Sequence, residues 1–270
     1  MIKIKKKATF DKYSNRMRSV TNIEKAIYEF KKDKNKNLNF LLTKRFNWMK
    51  KFISENDKGL EVGAGAGFSK KFITNKNFLI SDFANYDHLD IKNIDAQDTK
   101  LEKQSFDYVI ASNMIHHVPY PIKFLNEMHR ILKPNGKLII QEAHPSIVFQ
   151  LITLLMRHEG FDFTKNVWDE KIAMSKEDDV WSGNIAISHL IFDDIKSFND
   201  HFGNKFSLIH EKFFECLIFL NSGGVTSKTF YLPLNNFFLK FLDSVDSFLI
   251  KLFPNFFALG RQIVLQKKVK

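Results

Sequence analysis

Hydrophobic positions along the chain switch repeatedly between helical and strand spacing. Leu42, Phe46, Met49 and Ile53 recur at intervals of three to four, which predicts a helix with one buried face that stops at Asn56-Asp57-Lys58. Residues 59–62 then read as a short strand, and Phe68, Phe72 and Ile73 predict a helix over 68–74. Further strands are expected at 78–80, 91–96, 108–111 and 137–140. Between the last two, Pro121 opens a helix with Ile122, Leu125, Met128 and Leu132 on one face, closed by Lys133-Pro134-Asn135-Gly136. Farther on, 193–202 predicts a helix capped by Asp193 or Asp194 and stopped at Gly203, and 206–214 and 258–266 read as strands.

Short apolar strands alternating with amphipathic helices predict an α/β fold: a doubly wound, mostly parallel sheet covered on both faces, with a C-terminal antiparallel hairpin. A chain of 270 residues accommodates one such domain over 1–270. Within it, 1–55 is expected to be a helical N-terminal extension and 56–145 the ligand-binding core, with 146–190 and 224–257 as insertions covering the substrate. The second insertion holds an amphipathic helix over 237–253. Its wheel puts Lys240, Asp243, Ser244, Ser247 and Lys251 on a narrow polar face and Phe238, Phe241, Leu242, Val245, Leu249 and Phe253 on a wide apolar one, expected to pack on the sheet or on another subunit.

Composition changes this picture little. The formal charge of +11 draws attention to polyanions, but the excess is lysine, and a solvated basic surface explains it. Cys216 is the single cysteine, so no intrachain disulfide can form. The N-terminal lysines lead into no apolar signal segment, and the apolar run 147–156 falls short of the ~20 residues that span a bilayer. A cytoplasmic location is expected.

The candidate chemistry begins at Gly63-Ala64-Gly65-Ala66-Gly67, where a strand turns through three glycines into a helix. Such a turn lets the backbone approach a nucleotide-like ligand at a helix N-terminus, although a glycine string alone also suits a plain tight turn. Glu61 stands at the strand's end, Asp82 follows the second strand, and Asp95 follows the third. Three carboxylates at strand C-termini suit a cationic, adenosine-bearing ligand, with Asp82 placed to accept hydrogen bonds from ribose hydroxyls.

The ordered blocks Leu60 to Gly67, Asp95-Ala96, Ser105 to Val118 and Phe124 to Leu138 resemble the class I S-adenosylmethionine (SAM)-dependent methyltransferases, in particular the broad small-molecule subgroup that includes ubiquinone- and menaquinone-type enzymes. The likeness covers roughly residues 55 to 145, about a third of the chain. It implies a Rossmann-like sheet that binds SAM, with Gly63, Ala64, Gly65 and Gly67 cradling the methionine part and Glu61 orienting its amine. It also implies that Asp82 holds the ribose, that Asp95 and Ala96 read the adenine, and that Asn113 lies beside the methionine carbons. The chain departs from the family in Asn135, where a glycine is usual, and in the short 83–89 crossover, which makes Asp87 and Asp90 alternatives to Asp82.

A nicotinamide-dependent oxidoreductase would prefer G-x-G-x-x-G. A non-enzymatic nucleic-acid-binding module, suggested by the charge, leaves the ordered blocks unexplained. The fourth strand ends in Ser112-Asn113-Met114-Ile115 without the Pro-Pro element of base-amine methyltransferases, which leaves O-, C- or N-methylation of a small molecule. The acceptor is expected to have apolar character; a lipid-linked or prenylated acceptor at a membrane surface is the alternative. Candidate bases are His116 and His117 after the fourth strand and His158 in the first insertion, with His144 bordering the same cleft. Glu159, Asp162 and Trp168 are candidates for acceptor contacts, and no metal is expected.

Overall fold

The computed structural model describes residues 1–10, 23–32, 34–157, 159–226 and 229–269. In chain order its elements are β1 (Lys7–Ala8), α1 (Ile23–Lys31), α2 (Lys36–Asn47), β2 (Gly59–Val62), β3 (Phe78–Ile80), β4 (Phe106–Ser112), α3 (Pro121–Ile131), β5 (Leu132–Ala143), α4 (Ile147–Met156), β6 (Phe161–Asp162), α5 (Ile187–Phe192), α6 (Ile195–Phe202), β7 (Phe206–Phe214), α7 (Leu217–Leu220), α8 (Asn236–Leu252), α9 (Pro254–Phe257) and β8 (Gly260–Lys267). Short 3-10 turns occupy Met49–Phe52, Phe68–Lys71 and Ile115–His117.

Six strands form one sheet in the order β3-β2-β4-β5-β8-β7. The first four run parallel, and β8 is antiparallel to both β5 and β7. From β2 the chain steps outward to β3 and returns to β4 on the other side of β2. That reversal opens a crevice at the C-terminal ends of β2 and β4, where open α/β sheets bind ligands.

Strand periodicity distributes the core over two faces. Leu60, Val62, Val109, Ala111, Leu138 and Ile140 pack against α3, α5 and α6 through Leu125, Met128, Ile191, Phe198 and Phe202. The alternate residues Tyr108, Ile110, Ile139 and Val264 meet Leu41, Leu42 and Phe46 of α2 together with Met49 and Phe72. Glu61 lies in register between Leu60 and Val62, so it belongs to this second face. Gly59 must be glycine, because a Cβ there would fall 2.0 Å from the Tyr108 ring.

Several local expectations change. Residues 91–96 form no strand; a parallel bridge between Ser81 and Ile91 marks where one would start. The short 83–89 link is too brief to carry a full crossover, so the chain passes without adding a ladder. The helix expected over 68–74 is the 3-10 turn Phe68–Lys71. Helix α3 closes at Ile131, and β5 already begins at Leu132, so Lys133-Pro134-Asn135-Gly136 sits inside the strand with Asn135 at φ 62°. The N-terminal extension also contributes β1, which pairs with β6.

Helix α8 is rotated from its wheel: Lys240, Ser244, Ser247 and Lys251 are exposed as expected, but the buried stripe is not the wide phenylalanine face. Its buried residues are Leu239, Asp246 and Ile250, whereas Phe237, Phe238, Phe241 and Phe248 are each more than half exposed. Two carboxylates decide this: Asp243 pairs with Lys44, and Asp246 accepts the backbone N–H groups of Cys216 and Leu217 at 2.9 and 3.0 Å. Among the described residues, no helix is long and apolar enough to cross a membrane.

Candidate functional site

The glycine turn leaves β2 with Gly63, Gly65 and Gly67 at φ 66°, 51° and 65°, a region that L side chains avoid. A Cβ on Gly65 would meet nothing within 4 Å, because this glycine borders open space; one on Gly63 would strike Met114 at 2.8 Å. Asp82 fastens the turn from β3: its carboxylate accepts the Gly65 N–H at 2.8 Å and the Ala84 N–H at 2.9 Å. The His88 ring lies 2.7 Å from the Gly65 carbonyl on the other side.

Glu61 is 3% exposed and accepts a hydrogen bond from the Ser69 hydroxyl. Burial pushes its pKa up to about 8, so a cation beside it would favour the ionised form. Asp95 accepts the Gln97 N–H at 2.8 Å. Asn113 takes φ 51° after β4 and donates its N–H to the Gln141 carbonyl at 2.7 Å.

A cavity of about 830 Å³ joins these groups, near the upper end of the ~300–1,000 Å³ usual for ligand sites. Glu61, Gly63, Ala64, Gly65, Asp82, Asp95, Ala96 and Asn113 all line it. Gly67 does not; it lets the turn pack against Ile80 and His88. The alternatives to Asp82 lie elsewhere: Asp87 pairs with Lys92 at 2.8 Å, and Asp90 pairs with Lys70 at 2.6 Å.

His116 and His117 line the same cavity from the turn after β4. Nδ1 of His116 is hydrogen-bonded to Glu142 at the end of β5, and the same carboxylate accepts the N–H groups of Ile115 at 2.8 Å and Ala143 at 2.7 Å. Nδ1 of His117 donates to the Ser182 carbonyl at 3.0 Å. Both Nε2 atoms look toward Glu159, at 3.5 Å from His116 and 3.8 Å from His117. Burial disfavours the His116 imidazolium, but Glu142 and Glu159 outweigh it and hold the pKa up at about 10. Burial and the neighbouring His116 charge lower His117 to about 4.

Of the remaining candidates, His158 lies outside the described residues. His144 is buried against Phe213 rather than lining the cavity, and burial drives its pKa down to about 3. Asp162 turns back onto Thr164 and pairs with Lys7, and Trp168 stacks on His201; neither lines the cavity. From 146–190 the wall is supplied by Phe149, Ile152, Met156, Glu159 and Trp181. From 224–257 it is supplied by Gly224, Val225, Thr226 and Thr229, with no contribution from α8.

The sequence reading missed Glu142, and it missed a buried ion pair on the cavity wall, in which Arg45 Nε donates to Glu215 at 2.9 Å. The polar pair Gln141-Glu142 directly after the apolar 138–140 was a signal for the first. Nothing local marks Glu215.

Comparison with known proteins agrees with this geometry. Residues 60–140 match the family described as "Methyltransferase domain". The chain is similar to the demethylmenaquinone methyltransferase of Staphylococcus epidermidis, 30% identical over 100 residues that cover 36% of this chain and 40% of that enzyme. It is also similar to the demethylmenaquinone methyltransferase of Staphylococcus haemolyticus, 34% identical over 89 residues covering 32% and 36%. The matched part thus spans well under half of these relatives. In fold, it is similar to a SAM-dependent methyltransferase from Archaeoglobus fulgidus, with a TM-score of 0.54 and 15% identity over 89% of this chain and 99% of the other. The motif blocks, the family match over residues 60–140 and the sheet point the same way: this part of the chain is similar to class I SAM-dependent methyltransferase domains.

Proposed function

We propose that this protein transfers a methyl group from SAM to a small, oxygen-bearing acceptor of apolar character. The observation that carries this reading is one continuous cavity lined at one part by the glycine turn with Glu61, Asp82 and Asp95, and at another by His116 and His117. The residues fit the cofactor. Gly65 leaves open space beside the backbone, and Glu61 is a buried carboxylate in want of a positive neighbour. SAM, when bound, supplies an electrophilic methyl carbon on a sulfonium.

The chain's own groups do the rest. Glu61 and the glycine turn hold the methionine part, Asp82 accepts from the ribose hydroxyls, and Asp95 with Ala96 reads the adenine. Asn113 fixes the backbone where β4 opens into the acceptor region. His116 and His117, each held through Nδ1, aim Nε2 into the acceptor region of the cavity and position the acceptor there. Phe149, Ile152, Met156, Phe219 and Val225 give the cavity an apolar wall, which supports an apolar acceptor and excludes water from the reacting groups. The named activity of the staphylococcal relatives, on demethylmenaquinone, agrees in kind. Methyl-labelled SAM incubated with the protein and a cell extract tests the proposal. Label entering an organic-soluble small molecule supports it, and label confined to nucleic acid or protein overturns it.

A further inference from the structure

We infer that His116, His117 and Glu159 form a binding site for a divalent transition-metal ion, facing the acceptor region of the cavity. Among the described residues these three offer ligand atoms that all lie within 4.8 Å of one another. Two imidazoles and one carboxylate are the donor set of many open zinc sites, in which a further position is left for water or substrate.

The surrounding bonds support this reading more than the residue types do. Metal-binding histidines characteristically hand their other ring N–H to a carboxylate or a backbone carbonyl, which fixes the ring and aims the ligating nitrogen. Both partners are present: Glu142 on His116 Nδ1 and the Ser182 carbonyl on His117 Nδ1. The Nε2 to carboxylate separations, 3.5 and 3.8 Å, exceed the about 2.7–2.9 Å of a charge-assisted hydrogen bond. They approach the roughly 3.3 Å between two ligand atoms on a tetrahedral ion with bonds of about 2.0 Å. Small rotations of the side chains close the difference.

The scaffold holding the ligands is built from backbone. Gly160, next to Glu159, donates its N–H to the Gly183 carbonyl at 3.1 Å and accepts from Ile185 at 3.0 Å. Asn184 in turn donates its N–H to the His116 carbonyl at 2.8 Å. Gly183 leans on all three ligands: a Cβ there would stand 3.1 Å from His116, 3.3 Å from Glu159 and 3.4 Å from His117. An ion at this point ties the first insertion to the end of β4. Building on the methyl-transfer proposal, its open position takes the acceptor's oxygen. A hydroxyl or enol bound there releases its proton to solvent, and the oxyanion that remains is the better methyl acceptor.

Tag-free protein stripped with a chelator is titrated with Zn²⁺ by calorimetry and, separately, with Co²⁺ while d–d bands are recorded. The expected result is one equivalent bound with a Kd below about 10 µM and a four- or five-coordinate Co²⁺ spectrum. X-ray absorption of the Zn²⁺-loaded wild type should show two imidazole nitrogens, a readout that needs no variant. His117→Ala and Glu159→Gln should each weaken Zn²⁺ binding at least ten-fold, and Glu142→Gln by roughly 10–100-fold. No saturable binding below 1 mM, or binding that all three variants leave intact, would overturn the site. S-adenosylhomocysteine affinity is measured on the same metal-free wild type. If it binds while Zn²⁺ does not, the metal site fails and the methyltransferase reading stands; the reverse result separates them the other way.

Discussion

The Asp82 carboxylate accepts the backbone N–H of Gly65 at 2.8 Å, so the side chain assigned to the ribose is also the clasp of the glycine turn. Its second oxygen accepts the Ala84 N–H, which fixes the carboxylate plane against the cavity. Removing it therefore removes a backbone restraint and, with it, the proposed ribose contact. Hydrogen bonds to a charged group contribute ~1.5–3 kcal/mol each. Asp82→Ala should weaken S-adenosylhomocysteine binding at least ten-fold by calorimetry, and Asp82→Asn, which still accepts from Gly65, should lose less. An unchanged Kd in Asp82→Ala would remove this residue from the site.

Glu61 makes stability depend on pH in a direction opposite to most carboxylates. Unfolded, it titrates near 4.5; in the native protein, burial raises it to about 8. Between those values the native state keeps a proton that the unfolded state has released, so rising pH favours unfolding. Without cofactor, Tm should fall between pH 5 and pH 8, and Glu61→Gln should flatten the fall by on the order of 5 °C. An identical pH slope in the two proteins would contradict the assignment.

Polar anchoring should outweigh aromatic bulk on α8. Asp246→Ala frees the N–H groups of Cys216, Leu217 and Ile218, two of them buried, and should cost about 2–4 kcal/mol in urea unfolding. Phe241→Ala, on the exposed face, should cost less than about 1 kcal/mol. A larger loss from Phe241 than from Asp246 would mean that the helix packs the other way.

His117→Ala and Glu142→Gln should lower kcat for methyl transfer at least ten-fold and leave the Kd for S-adenosylhomocysteine within about two-fold. In the proposed reaction His117 stands beside the acceptor, and Glu142 holds His116 from behind. A Kd that rises as far as kcat falls would place these residues in the cofactor site instead.

What the sequence made legible was local in the chain. Gly63, Gly65 and Gly67 are spaced two apart and announce their own backbone conformation, and Asp82 follows from the end of β3, whereas Asp95 lines the cavity from a segment that forms no strand. Residues 91–96 carry strand-like apolar positions, but pairing depends on a crossover long enough to deliver them, and 83–89 is too short. The α8 wheel sent its charges outward on composition alone. It could not know that Lys44, 199 residues away, and the N–H groups after β7 wait for those carboxylates. Glu142, Glu159 and Glu215 were silent or half-read for the same reason: each matters through a partner remote in sequence.

Whether this cavity takes SAM is decided by titration calorimetry of the wild-type protein with SAM, S-adenosylhomocysteine and NAD. SAM and S-adenosylhomocysteine should bind saturably and one-to-one, at least ten-fold more weakly in Asp82→Ala, and NAD should give no heat of binding. Saturable binding of NAD with none of SAM would contradict this assignment.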